Sequence, residues 1–204
     1  MKDTYRTIRK PSTEILFKDK NSKFFGYAFP LTSEDTLAEI ISKLKLKHPK
    51  AGHFCYAYQI GKSEKDTVFR ANDDGEPNNS AGMPIYGQIQ SFELTNILIV
   101  IVRYFGGTKL GVSGLINAYR TSAEMVLQNS KIIKRTINVN YLISFEYKNM
   151  NKVMRIIKEK NLNVIDQKLE LSCEIKISVR KKDANSVFEN FDRLHDIEVK
   201  NLND

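Results

Sequence analysis

Residues 97–114 read Ile97-Leu98-Ile99-Val100-Ile101-Val102-Arg103-Tyr104-Phe105-Gly106-Gly107-Thr108-Lys109-Leu110-Gly111-Val112-Ser113-Gly114. The first six are apolar and mostly β-branched, with no polar alternation. They predict a strand buried on both faces, the end of an apolar run that starts near Leu94. Arg103 ends the run, and 104–114 is a glycine-rich loop. Beyond it Ile116, Tyr119, Ala123, Val126 and Leu127 fall near one face, which predicts a helix over about 113–129.

Upstream, the aromatic-rich segment 22–30 ends at Pro30 and reads as a strand. Thr32 is suited to cap a helix, Glu34 and Asp35 fall in its first turn, and Leu37, Ile40, Ile41 and Leu44 form one helical face. His48-Pro49 ends it. Residues 53–60 predict a strand with Phe54, Tyr56, Tyr58 and Ile60 on one side and His53, Cys55, Ala57 and Gln59 on the other. A polar turn is expected over 61–66, a short strand over 68–71 and a turn-rich loop over 72–84.

Downstream, 131–136 reads as a hinge, placing one domain at 1–134 and a second at 135–204. In the second, Val139, Tyr141, Ile143 and Phe145 alternate as a strand, and Met150, Val153, Met154 and Ile157 are helical. A strand is expected over 164–169. Leu171, Cys173, Ile175, Ile177 and Val179 alternate strictly. Asp183 can cap a helix bearing Ala184, Val187, Phe188 and Phe191, and Ile197 with Val199 closes a last strand. The order β-α-β-β-α-β is the ferredoxin-like arrangement, so the fold class is α+β.

The 204 residues suffice for one large or two small domains, and their 41% apolar content is that of a globular chain. No apolar run reaches the roughly 18 residues of a membrane span, and the first residues do not resemble a signal peptide, so a cytoplasmic location is expected, without a membrane. Two separated cysteines and three scattered histidines offer neither a disulfide framework nor a zinc site. The net charge of +8 is uneven: residues 1–135 carry 20 Lys and Arg against 13 Asp and Glu, whereas 136–204 carry 12 against 11. A basic first domain suits an anionic partner, or reflects solubility alone.

Two loops hold the candidate chemistry. In 72–84, the carboxylates of Asp73, Asp74 and Glu76 can serve as cation ligands or general base, although the spacing is not that of an EF-hand. The same residues suit a rigid turn closed by Asp caps, glycine and Pro84, with Ser80 and backbone amides open to a ligand. No metal site and no cofactor is inferred. In 103–114, Gly106, Gly107 and Gly111 let the backbone approach a ligand, the helix start at Ser113 attracts anions, and Arg103 and Lys109 add charge. Neither the P-loop nor the GxGxxG spacing is met. The alternative is a turn for tight strand–helix packing. His53 and Cys55 share a strand face, as a nucleophile pair or as core. Arg120, on the following helix, is a ligand candidate or a surface residue. No catalytic residue is assigned.

Gly52-His53-x-Cys55-x-Ala57-Tyr58, Asp73-Asp74-Gly75-Glu76-Pro77, Ala81-Gly82-x-Pro84, Arg103-Tyr104-Phe105-Gly106-Gly107-x-Lys109-Leu110-Gly111, Gly114-Leu115 and Ala118-Tyr119 resemble the IMPACT family, and the whole chain resembles its bacterial YigZ branch. The resemblance implies a first domain like the second domain of a small-subunit ribosomal protein and the fourth domain of elongation factor G. It implies a ferredoxin-like second domain. The family's eukaryotic members regulate translation, a role that leans on an additional N-terminal domain. Here Asn79-Ser80 stands where the family commonly has Gly-Thr, and Val112-Ser113 where it has Thr-Gly. The leading expectation is nucleic-acid binding, to RNA or the ribosome, connected with translation, with Arg103 and Lys109 on phosphate and Arg120 as a lesser contact. The alternatives are an enzyme acting on a phosphorylated or anionic small molecule, through Asp73, Asp74 and Glu76, and a regulator that binds a protein partner without catalysis.

Overall fold

The computed structural model describes residues 3–63 and 66–202; Glu64 and Lys65, in the turn expected over 61–66, lie outside the described residues, as do the first two and last two of the chain. The fold is mixed α and β, built on antiparallel sheets. It divides into two compact units, one of Tyr5–Arg135 and one joining Met1–Thr4 to Thr136–Asp204. Among the described residues no helix is long and apolar enough to cross a membrane.

The strands of the first unit are β1 (Thr4–Ile8), β2 (Ile15–Asp19), β3 (Ser22–Pro30), β4 (His53–Ile60), β5 (Val68–Asn72), β6 (Ile97–Tyr104) and β7 (Ile132–Thr136); its helices are α1 (Leu37–Lys47), α2 (Gly82–Ser91) and α3 (Gly111–Gln128). Five strands form an antiparallel sheet in the order β2-β3-β6-β4-β5. The apolar run of β6 lies at its centre with Ile97 to Val102 all fully buried, as a strand without polar alternation requires. Ile97, Ile99 and Ile101 share one core with Cys55 and Ala57 of β4, Ile85 and Ile89 of α2, and Ala118, Tyr119, Ala123 and Val126 of α3. Leu98, Val100 and Val102 share the other with Tyr27, Phe54, Tyr58 and Leu44 of α1. Each Ile, Leu, Val or Phe among these contributes roughly 1.5–3 kcal/mol on burial.

Five elements differ from the sequence reading. Residues 132–136, read as a hinge, are the strand β7, paired with β1 in a small two-stranded sheet, and the division between the two units falls at its end. Neither β1 nor β2 was anticipated, because TYRTI and ILFKD are short and carry polar residues. Residues 82–91, read as loop end and then left unassigned, form α2. Its sequence GMPIYGQIQS has poor helix propensity, but Pro84 falls in the first turn, where its missing N–H costs nothing. Before α1, Ser33 rather than Thr32 supplies the cap: its Oγ accepts from Asp35 N at 3.3 Å and opens a 3₁₀ turn.

In the second unit β8 (Asn138–Glu146), α4 (Met150–Glu159), β9 (Asn163–Lys168), β10 (Ser172–Arg180), α5 (Ala184–Asp192) and β11 (Ile197–Asn201) follow the β-α-β-β-α-β order. Their antiparallel sheet has the order β11-β8-β10-β9. Ile143, Phe145, Ile175 and Ile177 pack with Val153 of α4 and Phe191 of α5. Asp183 occupies the N-cap of α5 without a side-chain bond. The extended N-terminus is tied in through Asp3, whose carboxylate accepts from Arg180 Nε at 2.6 Å; that bond holds the Asp3 carboxyl below its usual range.

Candidate functional site

The loop over 72–84 owes its shape to Asp73. Its Oδ1 accepts from Ala81 N at 2.9 Å and Gly82 N at 2.8 Å, and its Oδ2 accepts from Asn79 N at 2.9 Å. Asp73 thus caps α2 from eight and nine residues away, satisfying amides that Ala81, the local N-cap, cannot. Asp74 turns to the sheet, and its Oδ2 accepts from Phe54 N at 2.6 Å. Asn79 adopts a left-handed φ of 60°, a conformation glycine takes freely and asparagine tolerates, so asparagine keeps the turn. Gly82 is fixed by contact: a Cβ there would lie 2.5 Å from Asn72 N. Ser80 is fully buried and donates to Pro77 O at 2.6 Å, so it faces no ligand.

Glu76 enters the core. Its side chain is 4% exposed, and Oε1 accepts from Arg103 Nη1 at 2.7 Å and from Tyr119 Oη at 2.7 Å. The Arg103 guanidinium lies between the rings of Phe24 and Phe105, 5.6 Å from each centroid, with Nη2 3.4 Å from Ser22 Oγ. Its Nε has no partner among the described residues. Cys55 Sγ lies 3.0 Å from Asp73 O and 3.2 Å from Tyr119 Oη. His53 Nδ1 donates to Asp74 O at 2.8 Å, which leaves Nε2 4.0 Å from Glu76 Oε1.

This geometry corrects several expectations. Arg103 is 5% exposed and neutralises Glu76, so it is not free to meet a phosphate. The three carboxylates are committed to backbone amides or to a buried cation, and do not converge into a ligand set. Burial pushes the Cys55 thiol up, against the effect of its bond with Tyr119 Oη, and His53 is turned away toward Asp74 and Glu76; the two are not a nucleophile pair. Burial also raises the Tyr119 hydroxyl, reinforced by Cys55 and Glu76. The network clamps the 72–84 loop to β4, β6 and α3.

What remains open to solvent is the other loop. Lys109, Gly107, Gly111 and Ser113 are exposed and Gly106 partly so. Gly107 and Gly111 have φ of 85° and 74°, within the left-handed region. Gly106 crosses the turn at residues 21–22 so closely that a Cβ would fall 2.1 Å from Asn21 C. The helix begins at Gly111, inside the expected loop, and no side chain caps it. Phe105, which the sequence reading did not single out, projects with 56% of its surface exposed. Nothing local in the sequence signals that exposure. Arg120 lies nine residues beyond Gly111 on α3 and lines a cleft against α2. It is not part of the loop.

A second polar chain lies under α1. Tyr104 Oη is 3.1 Å from His48 Nδ1, Tyr27 Oη is 2.6 Å from His48 Nε2, and Tyr27 donates to Glu14, which pairs with Lys47 at 2.8 Å. Burial lowers the His48 pKa. The bonds from Lys47 and then Tyr27 hold Glu14 below its usual range.

The Impact N-terminal domain matches residues 20–127, which is every element from β3 to α3 and both loops. The chain belongs to the IMPACT family. The IMPACT family member YvyE of Bacillus subtilis (strain 168) is 31% identical over 189 residues, covering 93% of this chain and 86% of that protein. The IMPACT family member YigZ of Escherichia coli (strain K12) is 26% identical over 147 residues, 72% of each chain. A crystal structure of a hypothetical protein superposes with a TM-score of 0.72 over 98% of this chain and 97% of its own, at 20% identity, which shows a shared fold. Of the motif residues on which the resemblance rests, Cys55, Asp73, Asp74, Glu76, Gly82, Arg103, Gly106 and Tyr119 serve the architecture.

Proposed function

We propose that this IMPACT-family chain binds single-stranded RNA, as presented on the ribosome, and acts in the regulation of translation. The observation that carries the reading is the exposed Phe105 beside exposed Lys109 and the uncapped amino end of α3. An aromatic face accepts a base by stacking, an ammonium pairs with phosphate, and free helix amides favour the same anion. Gly107 and Gly111 are exposed, and a Cβ at either would meet nothing within 4 Å, so a ligand can approach the backbone there. The charge of the first 135 residues favours such a partner. The link to translation rests on the family resemblance. The enzyme reading is less supported, because Asp73, Asp74 and Glu76 are already committed to amides and to Arg103.

Fluorescence anisotropy with labelled single-stranded RNA over a salt series tests the proposal. Wild type is expected to bind with a log–log salt slope of about −0.7 per phosphate neutralised. Lys109→Ala should make that slope shallower by one contact, and Phe105→Ala should weaken binding by about 1–3 kcal/mol without changing the slope. Binding that ignores salt, or no binding by folded protein at low salt, contradicts it.

A further inference from the structure

The cleft between α2 and α3 is separate from the Phe105 loop. It holds about 460 Å³ and is lined by Asn79, Met83, Gly87 and Gln88 on one side and Ile116 and Arg120 on the other. Both walls repeat at helical spacing: Met83 and Gly87 are four apart on α2, and Ile116 and Arg120 are four apart on α3, with Val112 one turn earlier on the same α3 ridge, beyond the cleft's lining. That places two turns of α3, about 12 Å, along one ridge. Met83 is 43% exposed and Val112 54% exposed, so the ridge leaves apolar surface in water. A Cβ at Gly87 would touch nothing within 4 Å, which leaves the cleft floor open.

The charge is one-sided. Arg120 is exposed and has no ion-pair or hydrogen-bond partner among the described residues. Glu124, placed at i+4 to neutralise it, instead accepts from Gln128 Nε2 at 3.0 Å. Among the described residues no acidic side chain lines the cleft. Methionine adapts to varied apolar shapes, and an arginine that a partner covers is a common anchor of an interface.

We propose that the α2–α3 cleft is a docking groove for an acidic amphipathic helix of a partner protein. Aliphatic side chains at i and i+4 of that helix lie on Met83 and Ile116, and an Asp or Glu one turn further pairs with Arg120. Charge complementarity selects the carboxylate, and the apolar ridge at i, i+4 spacing selects a peptide over the phosphate backbone of a nucleic acid, which has no aliphatic groups to fill it.

Random dodecapeptides displayed on phage are selected on the full chain, and the enriched sequences are made as labelled peptides for anisotropy. Enriched sequences should carry an acidic residue three or four positions from an aliphatic pair. Their Kd should rise at least tenfold with Arg120→Glu and with Met83→Lys, each variant being checked for an unchanged circular-dichroism melt. A peptide with Lys replacing its acidic residue should regain affinity for Arg120→Glu. No enrichment, or enriched peptides that bind both variants as they bind wild type, overturns the proposal. It is equally overturned if Arg120→Glu weakens single-stranded RNA binding as much as Lys109→Ala does, because the cleft then takes phosphate.

Discussion

Glu76 and Arg103 are the residues on which the first unit's loop depends. Their 2.7 Å contact is almost fully removed from water, and Tyr119 holds the same carboxylate oxygen. Removing one partner strands a buried charge, so Glu76→Ala should cost about 3–5 kcal/mol in urea or guanidinium unfolding. A loss below about 1 kcal/mol would show that the pair is not desolvated as described. His48 makes a second prediction at this scale. Burial depresses its pKa in the folded state, so the unfolded state takes up protons first as pH falls. Stability from this group is complete above the ordinary imidazole pKa of about 6.5 and declines as pH drops through and below it. Unfolding free energies measured from pH 7.5 to 5.5 should therefore fall, and His48→Phe should flatten the part of the decline that this group contributes. Glu14, with its carboxyl held low by Lys47 and Tyr27, adds a loss only at more acidic pH.

At the scale of elements, α2 depends on a residue outside it. Its ten residues include two glycines and a proline, and its first amides are satisfied by Asp73. Asp73→Ala removes the acceptor of three backbone amides and should cost about 2–4 kcal/mol, with Asp73→Asn, which keeps one oxygen, in between. Hydrogen exchange provides the check: amides of 79–85 should lose protection first, ahead of those of β6. The same helix approaches β5 so closely that Gly82→Ala must displace Asn72. That substitution should destabilise although alanine is the better helix former, a reversal of sign that propensity alone does not give. The sequence was readable where periodicity was strong, as in β6, β4, α3 and the alternation of β10. It was not readable at α2, β1 and β7, which exist because a distant carboxylate or a partner strand satisfies their backbone.

At the scale of the whole molecule, the charge divides as the units do, and RNA crosslinking should respect that division. Ultraviolet crosslinking followed by peptide mapping should mark the peptide containing Phe105 and leave 136–204 unmarked. Crosslinks confined to the second unit would place the nucleic-acid surface elsewhere.

The sequence by itself determined the two-sided core of the first unit, the β-α-β-β-α-β order of the second and the family, since these depend on local periodicity and on ordered motifs. It also marked the two loops on which the site question turns. It did not determine which face of those loops meets solvent. Arg103, Asp73, Asp74, Glu76 and Ser80 read either as ligands or as parts of a rigid turn, because charged and hydroxyl groups in glycine-rich loops serve both ends. The tertiary structure spends them on caps, on a buried ion pair and on a turn. It leaves Phe105, Lys109, Met83 and Arg120 outside. The physical reason is that a loop crossing a sheet must satisfy its own backbone before it can offer anything to a partner, and only the packed neighbours decide which side chains do so.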